Sequence, residues 1–233
     1  HTLTQLVTAT GKIQPEIQVK ISPEVSGEIV ALPVKEGQRV KKGELLMKIK
    51  PDVYEAQRDQ ASAGLLSVQA RLSSAEPEFK RISDLHSKGL VSQSEYDQSR
   101  ATYESAKANY AQARATLNQA NEALRKTTIT APMDGTISQL NSRLGERVLG
   151  TLQFQGTDVM TIADLSRMEG RVDVSETDVI RLHIGDTARI AVDAFPDKKV
   201  NALVYEIANT AKSKGLGTQE EVTNFEVKMR VVT

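Results

Sequence analysis

The sequence has no cysteine and no tryptophan, and aromatic residues make up 4% of its 233 positions. Without thiols, disulfides, thiolate metal sites and cysteine nucleophiles are excluded, although compartment does not follow from that absence. The shortage of large rings argues against one thick core and for two or three small units, which a chain of this length can supply. Thirty basic and thirty acidic side chains cancel and no basic block stands out, which removes bulk charge as a route to nucleic acid. No apolar run approaches the ~18 residues that cross a bilayer, and no signal-peptide pattern stands at the start. An anchor outside this sequence would leave the same picture.

Catalytic patterns are missing as well. His1, His86 and His183 have no partner histidine at ligand spacing, and the five methionines are scattered. There is no G-x-x-x-x-G-K-[ST] phosphate loop, no nucleophile motif and no distinguishable carboxylate pair. No catalytic, metal or cofactor-binding residue is expected, and the chain does not read as an enzyme.

What is present begins with an internal repeat. "ISPEVSGEIVALPVKEGQRVKKGELLMKI" (21–49) and "ITAPMDGTISQLNSRLGERVLGTLQFQGTDVMTI" (129–162) each carry a Pro, a Gly before alternating residues, and G-[QE]-R-V. The two glycines are ten apart in both, Gly27 to Gly37 and Gly135 to Gly145. Alternation at Ile29, Leu32 and Val34 marks short strands with one buried face, and the glycines are read as turns needing positive φ. Neither half has enough apolar positions for a core, so the two are expected to pair into one small β-sandwich resembling the biotinyl/lipoyl-carrier fold. In that fold the modified lysine lies on the hairpin joining the halves. Here about 78 residues are inserted at that point. Lys48 and Lys50, which flank the insertion, are therefore read as ordinary solvated lysines.

The insertion reads as an antiparallel coiled-coil hairpin. Ala61, Leu65, Val68, Leu72, Ala75, Phe79 and Ile82 form a heptad seam in its first arm. Tyr96, Ser99, Tyr103, Ala106, Tyr110, Ala113, Leu117, Ala120 and Leu124 form the facing seam. Asp52 with Glu55 marks a helix start, Gly89 a left-handed stop, and Ser92 with Glu95 a capping box for the second arm. Pro77, off the seam, is expected to bend the first arm without ending it. Arms of ~34 residues reach about 50 Å, so reach itself is the expected purpose. Self-dimerisation through the seam is the alternative.

After residue 165, "DTARIAVDAF", "KKVNALVYEI" and "TNFEVKMRVV" alternate as strands, most cleanly at Phe225, Val227, Met229 and Val231. Ser175, Asp178 and Gly185 bracket a short helix, and "KSKGLGTQEEV" (212–222) reads as a mobile loop. With a strand from "LTQLVTATGKI", these are expected to make a small β-barrel. The fold class is thus α+β and nested: β-barrel (1–14 plus 165–233), split lipoyl/biotinyl-like sandwich (15–51 plus 127–164) and α-helical hairpin (52–126).

Split lipoyl halves, a hairpin between them and a barrel outside them resemble the periplasmic adaptor (membrane fusion protein) family of tripartite efflux pumps. "APMDGTI", "GERV" and "IADLSRMEGRVDVSETDV" are similar to that family's second lipoyl half and its crossing into the barrel. Adaptors that meet a TolC-type outer-membrane channel carry R-x3-L-x6-S at the hairpin turn, and Arg81, Leu85 and Ser92 fit it. The resemblance implies docking by these three, with Lys88 and Gly89 shaping the turn. The plainer reading has Ser92 capping a helix, Leu85 packing at the seam end and Arg81 solvated. The resemblance also implies a homo-hexameric ring, a periplasmic location anchored to the inner membrane of a Gram-negative bacterium, and an inner-membrane transporter partner. The crossing is most similar to adaptors serving a MacB-type ABC transporter, with a proton-driven RND partner nearly as well matched. The family's anchor and membrane-proximal domain are not visible, so a trimmed chain is expected. A biotin or lipoyl carrier subunit and a coiled-coil scaffold stay open as other classes.

Overall fold

The computed structural model describes residues 7–151, 156–192, 195–214 and 222–232. Strand β1 (Thr10–Pro15) precedes the repeat, whose first half supplies β2 (Gln18–Ile21), β3 (Gly27–Ala31), β4 (Arg39–Val40) and β5 (Leu45–Ile49). Helices α1 (Asp52–Ser87) and α2 (Gln93–Arg125) follow. The second half supplies β6 (Thr128–Thr130), β7 (Gly135–Leu140), β8 (Arg147–Val148) and β9 (Met160–Ala163). The chain closes with β10 (Met168–Ser175), α3 (Glu176–Val179), β11 (Thr187–Val192), β12 (Phe195–Lys214) and β13 (Val222–Val232).

The halves of the repeat interleave. One four-stranded sheet runs β2-β9-β7-β4 and the other β6-β5-β3-β8, so each takes two strands from each half. The glycine strand of one half pairs with the R-V strand of the other, Gly27 with Val148 and Gly135 with Val40. Ile29, Leu46, Met47 and Ile49 from the first half meet Ile137, Val148, Met160 and Ile162 from the second in one core, all at most 1% exposed. Each such side chain contributes about 2 kcal/mol on burial, and neither half can bury its own set alone.

The four motif glycines have two different roles. Gly37 and Gly145 have φ of 81° and 82°, as expected of tight turns. Gly27 and Gly135 are not among the positive-φ residues, which corrects the turn reading for them. Space is their constraint. A Cβ on Gly27 would lie 2.5 Å from Ile49 Cγ2, and one on Gly135 would lie 2.8 Å from Ile162 Cγ2 and 2.9 Å from the Ala163 carbonyl oxygen.

The remaining strands form one antiparallel sheet, β1-β10-β13-β12-β11. Val174, Ala202, Val204, Val227 and Met229 bury its inner face. The N-terminal strand overlaps the end of the segment expected to supply it and pairs with β10, while residues 1–6, His1 among them, lie outside the described residues. The segment 168–175, read from sequence as a crossing, is a full strand between β1 and β13. Its alternation puts Gly170, Val172 and Val174 on one face and Glu169, Arg171 and Asp173 on the other. The expected loop at 212–222 is shorter, because β12 continues to Lys214 and β13 begins at Val222; its centre lies outside the described residues.

Helices α1 and α2 run antiparallel and packed together, with Phe79 stacked on Tyr103 (5.2 Å) and tilted against Tyr96 (5.9 Å). Every expected seam residue is half-buried or buried, while the positions between them from 62 to 80 in α1 are exposed. Helix α1 runs unbroken through Pro77. Its start differs from expectation. Pro51 is already helical (φ −86°, ψ −13°) and occupies the N-cap position, and no side chain caps the helix. Asp52 thereby falls inside the first turn, where its charge favours the positive end of the helix dipole. Among the described residues no helix is long and apolar enough to cross a membrane.

Candidate functional site

The far end of the helix pair is built by two opposed caps. Gly89, at φ +71°, ends α1: its N–H donates to the His86 carbonyl at 2.9 Å, and the Leu90 N–H donates to the Leu85 carbonyl at 3.0 Å. These two bonds are the Schellman pattern, with Gly89 in the left-handed position. Ser92 then starts α2, its Oγ accepting from the Glu95 N–H at 3.2 Å. The reciprocal bond, from the Ser92 N–H to the Glu95 carboxylate, is absent among the described residues, so the expected capping box is half formed. With the turn confined to 88–92, the chain reverses within five residues.

Arg81, Leu85 and Ser92 are thereby brought to one end of the helix pair. Arg81 is 58% exposed and held back along α1 by Glu78, whose Oε2 accepts from Nε at 3.0 Å. That hydrogen bond and the arginine charge hold the Glu78 carboxyl below the usual range, and the same partner raises Arg81. Leu85 is half-buried, and its carbonyl is committed to the turn. Ser92 is exposed with its hydroxyl engaged as a cap. Lys88 is exposed, and nothing lies within 4 Å of a Cβ built on Gly89.

Two features of this end were missed in the sequence. Leu90 is 68% exposed at the apex. The residue after a Schellman glycine commonly packs back on the last helical turn, whereas this leucine, which the sequence reading did not single out, faces outward. His86 stacks on Tyr96 with ring centres 4.7 Å apart, which locks the last turn of α1 to the first of α2.

Lys48 lies within β5, opposite Ala31 and Thr128, and Lys50 pairs with Asp52 at 3.5 Å just before α1. Neither stands on a tight turn between adjacent strands. The most enclosed ionisable group among the described residues lies elsewhere. Glu169, 1% exposed, accepts from Gln14 Nε2 (3.2 Å) and Arg171 Nε (2.6 Å) on one oxygen and from the Tyr205 hydroxyl on the other. Arg230 lies 4.9 Å over the Tyr205 ring and pairs with Glu16, so the cluster ties β1, β10, β12 and β13 together. No group of acidic and histidine side chains among the described residues is arranged to hold a metal ion.

Comparison with known proteins agrees with this architecture. The family model described as RND MFP, barrel-sandwich hybrid domain, matches residues 17–155. The chain is 32% identical to Macrolide export protein MacA of Yersinia pestis over 222 residues, 89% of this chain and 59% of that protein. It is 37% identical to Pyoverdine export membrane fusion protein PvdR of Pseudomonas putida over 215 residues, 86% of this chain and 54% of that protein. It thus spans little more than half the length of these relatives. The crystal structure of MacA from Actinobacillus actinomycetemcomitans superposes with a TM-score of 0.72 at 26% identity, covering 97% of this chain and 72% of that one. The chain belongs to the membrane fusion protein family, with the barrel-sandwich hybrid domain and the helix pair inserted in it lying within residues 17–155.

Proposed function

We propose that this chain is the periplasmic adaptor of a tripartite efflux or secretion system, and that the end of its helix pair docks on a TolC-type outer-membrane channel. The observation carrying the reading is the tip itself. A two-cap turn gathers Arg81, Leu85 and Ser92, with Lys88, Gly89 and outward-facing Leu90, at the end of helices about 50 Å long. The arginine fork suits carbonyls or carboxylates on a channel rim, and the leucines supply apolar contact. In this reading 52–126 is a coiled-coil hairpin, 15–51 plus 127–164 the split lipoyl-like domain, and 1–14 plus 165–233 the barrel. Copies assemble as a hexameric ring anchored to the inner membrane, and the chain catalyses nothing. A MacB-type ABC transporter is the favoured inner-membrane partner, supported by the MacA relatives. An RND transporter is the second reading, supported by the family model's description.

Efflux complementation tests the docking residues. Arg81→Asp and Leu85→Ser should abolish it while circular dichroism and melting stay unchanged, and Ser92→Asp, which still caps α2, should impair it. Wild-type efflux in all three variants would remove the tip as docking site.

A further inference from the structure

We infer that the β2–β3 loop, residues 22–26, is a saddle that sets the angle of the helix pair, with Tyr54 and Lys126 as the positioning residues that clamp the helices to it. The functional weight of that angle rests on the docking reading above, while the clamp itself does not.

A side chain at the base of each helix reaches the same short loop. Tyr54, in the first turn of α1, packs its ring against the sandwich core and donates its hydroxyl to the Ser26 carbonyl at 2.7 Å. Lys126, the residue capping the end of α2, places its ammonium 2.5 Å from the Glu24 carboxylate, with its own side chain 29% exposed. The loop does not give way behind them. From its other side the Gly150 N–H donates to Ser26 Oγ at 2.8 Å, and the Thr151 N–H to the Pro23 carbonyl at 3.0 Å. A Cβ on Gly150 would lie 2.4 Å from the Glu24 carbonyl oxygen, so this strand of backbone presses directly on the saddle. Val25, between the two contacts, is 5% exposed and anchors the loop in the core.

The helices already continue from β5 and into β6, where the Ile49 N–H donates to the Thr127 carbonyl at 2.8 Å, and the two side-chain contacts, one at each helix base, oppose rotation about that connection. Geometry gives this a purpose. Helices of 36 and 33 residues, about 50 Å long, act as a lever, so a swing of about 10° at the base moves the tip by about 9 Å. That displacement is a full interaxial spacing between packed helices, enough to move the tip from one partner helix to the next. Surface ion pairs contribute little stability, and a hydroxyl at the edge of a core contributes modestly. The clamp therefore acts on angle while leaving global melting almost untouched.

With no native cysteine, the chain accepts spin labels on cysteines at Lys80 and Glu36, both exposed and away from the clamp. Pulsed electron-electron resonance on the full chain should give one narrow distance distribution. Tyr54→Phe, which keeps the ring, and Glu24→Lys should each broaden it, and combining them should at least double the width. The exchange Glu24→Lys with Lys126→Glu should restore the narrow distribution. Distributions identical to the parent in Tyr54→Phe and Glu24→Lys, or a charge exchange that fails to restore the width, would overturn the clamp. The measurement needs no channel, so it stands apart from the docking test: broadening in Tyr54→Phe alongside full efflux in the tip variants would refute docking and leave the clamp in place.

Discussion

A carboxylate that is 1% exposed is costly unless both oxygens are engaged, and at Glu169 they are, by Gln14 and Arg171 on one and Tyr205 on the other. Burial alone would push this carboxyl up, but the hydrogen bonds from Tyr205, Arg171 and Gln14 and the arginine charge together hold it below its usual value. The Tyr205 hydroxyl, desolvated and facing that carboxylate, is pushed up to about 12. A depressed folded-state value means that Glu169 stabilises the sheet above the unfolded carboxylate pKa of about 4.3 and loses that contribution as pH falls through the lower folded value. Glu169→Gln should cost about 2 kcal/mol at neutral pH and flatten the acid limb of stability against pH, as followed by denaturant unfolding. Gly27→Ala and Gly135→Ala should each cost roughly 1–3 kcal/mol through overpacking, visible as lowered melting temperature. The second should be worse, because a backbone carbonyl as well as a side chain blocks the added carbon. The repeat made these glycines conspicuous in the sequence. Their φ and their neighbours were not readable there, since close approach depends on which strand crosses behind them.

At the scale of the helix pair, almost everything was legible. Heptad spacing is a local property, so every residue predicted for the seam is shielded, and Gly89 and Ser92 sit where their cap chemistry placed them. The start of α1 was misread because D-x-x-E says nothing of the preceding Pro51, whose helical backbone shifts the cap by one residue. Gly89→Ala should destabilise the turn by about 1–2 kcal/mol, a purely conformational cost of the left-handed φ since no atom crowds the site. Ser92→Ala should cost about 1 kcal/mol and Ser92→Asp almost nothing. Thermal melts followed at the helical signal check both. Arg81 was assigned by motif alone, and its return toward Glu78 was not foreseen. Releasing it with Glu78→Gln should leave the helix intact and strengthen channel crosslinking, because the guanidinium then loses its hydrogen-bonded carboxylate and keeps only the more distant charge of Glu95.

For the whole molecule, nesting was visible as two related segments split by helices, while strand pairing was not. A repeat says that two halves belong together. It does not say that each sheet takes two strands from each half, because strand order is decided by long-range contacts. The crossing at 168–175 was recognised but not its place as a strand, because that rests on distant contacts such as those of Glu169 with Gln14 and Tyr205, 155 and 36 positions away. Interleaving leaves the sandwich as a single base for both helices, so a rigid base and a long reach come from one core. That arrangement has a purpose only if the tip meets something. In-cell photocrosslinking compares the tip with the shaft, placing the photoreactive residue at Leu90, 68% exposed, or at Leu66, 69% exposed and far from the turn. The account predicts an adduct with a TolC-type channel from position 90 and none from position 66. No adduct from position 90 with channel and transporter both present, or equal adducts from both positions, would contradict it.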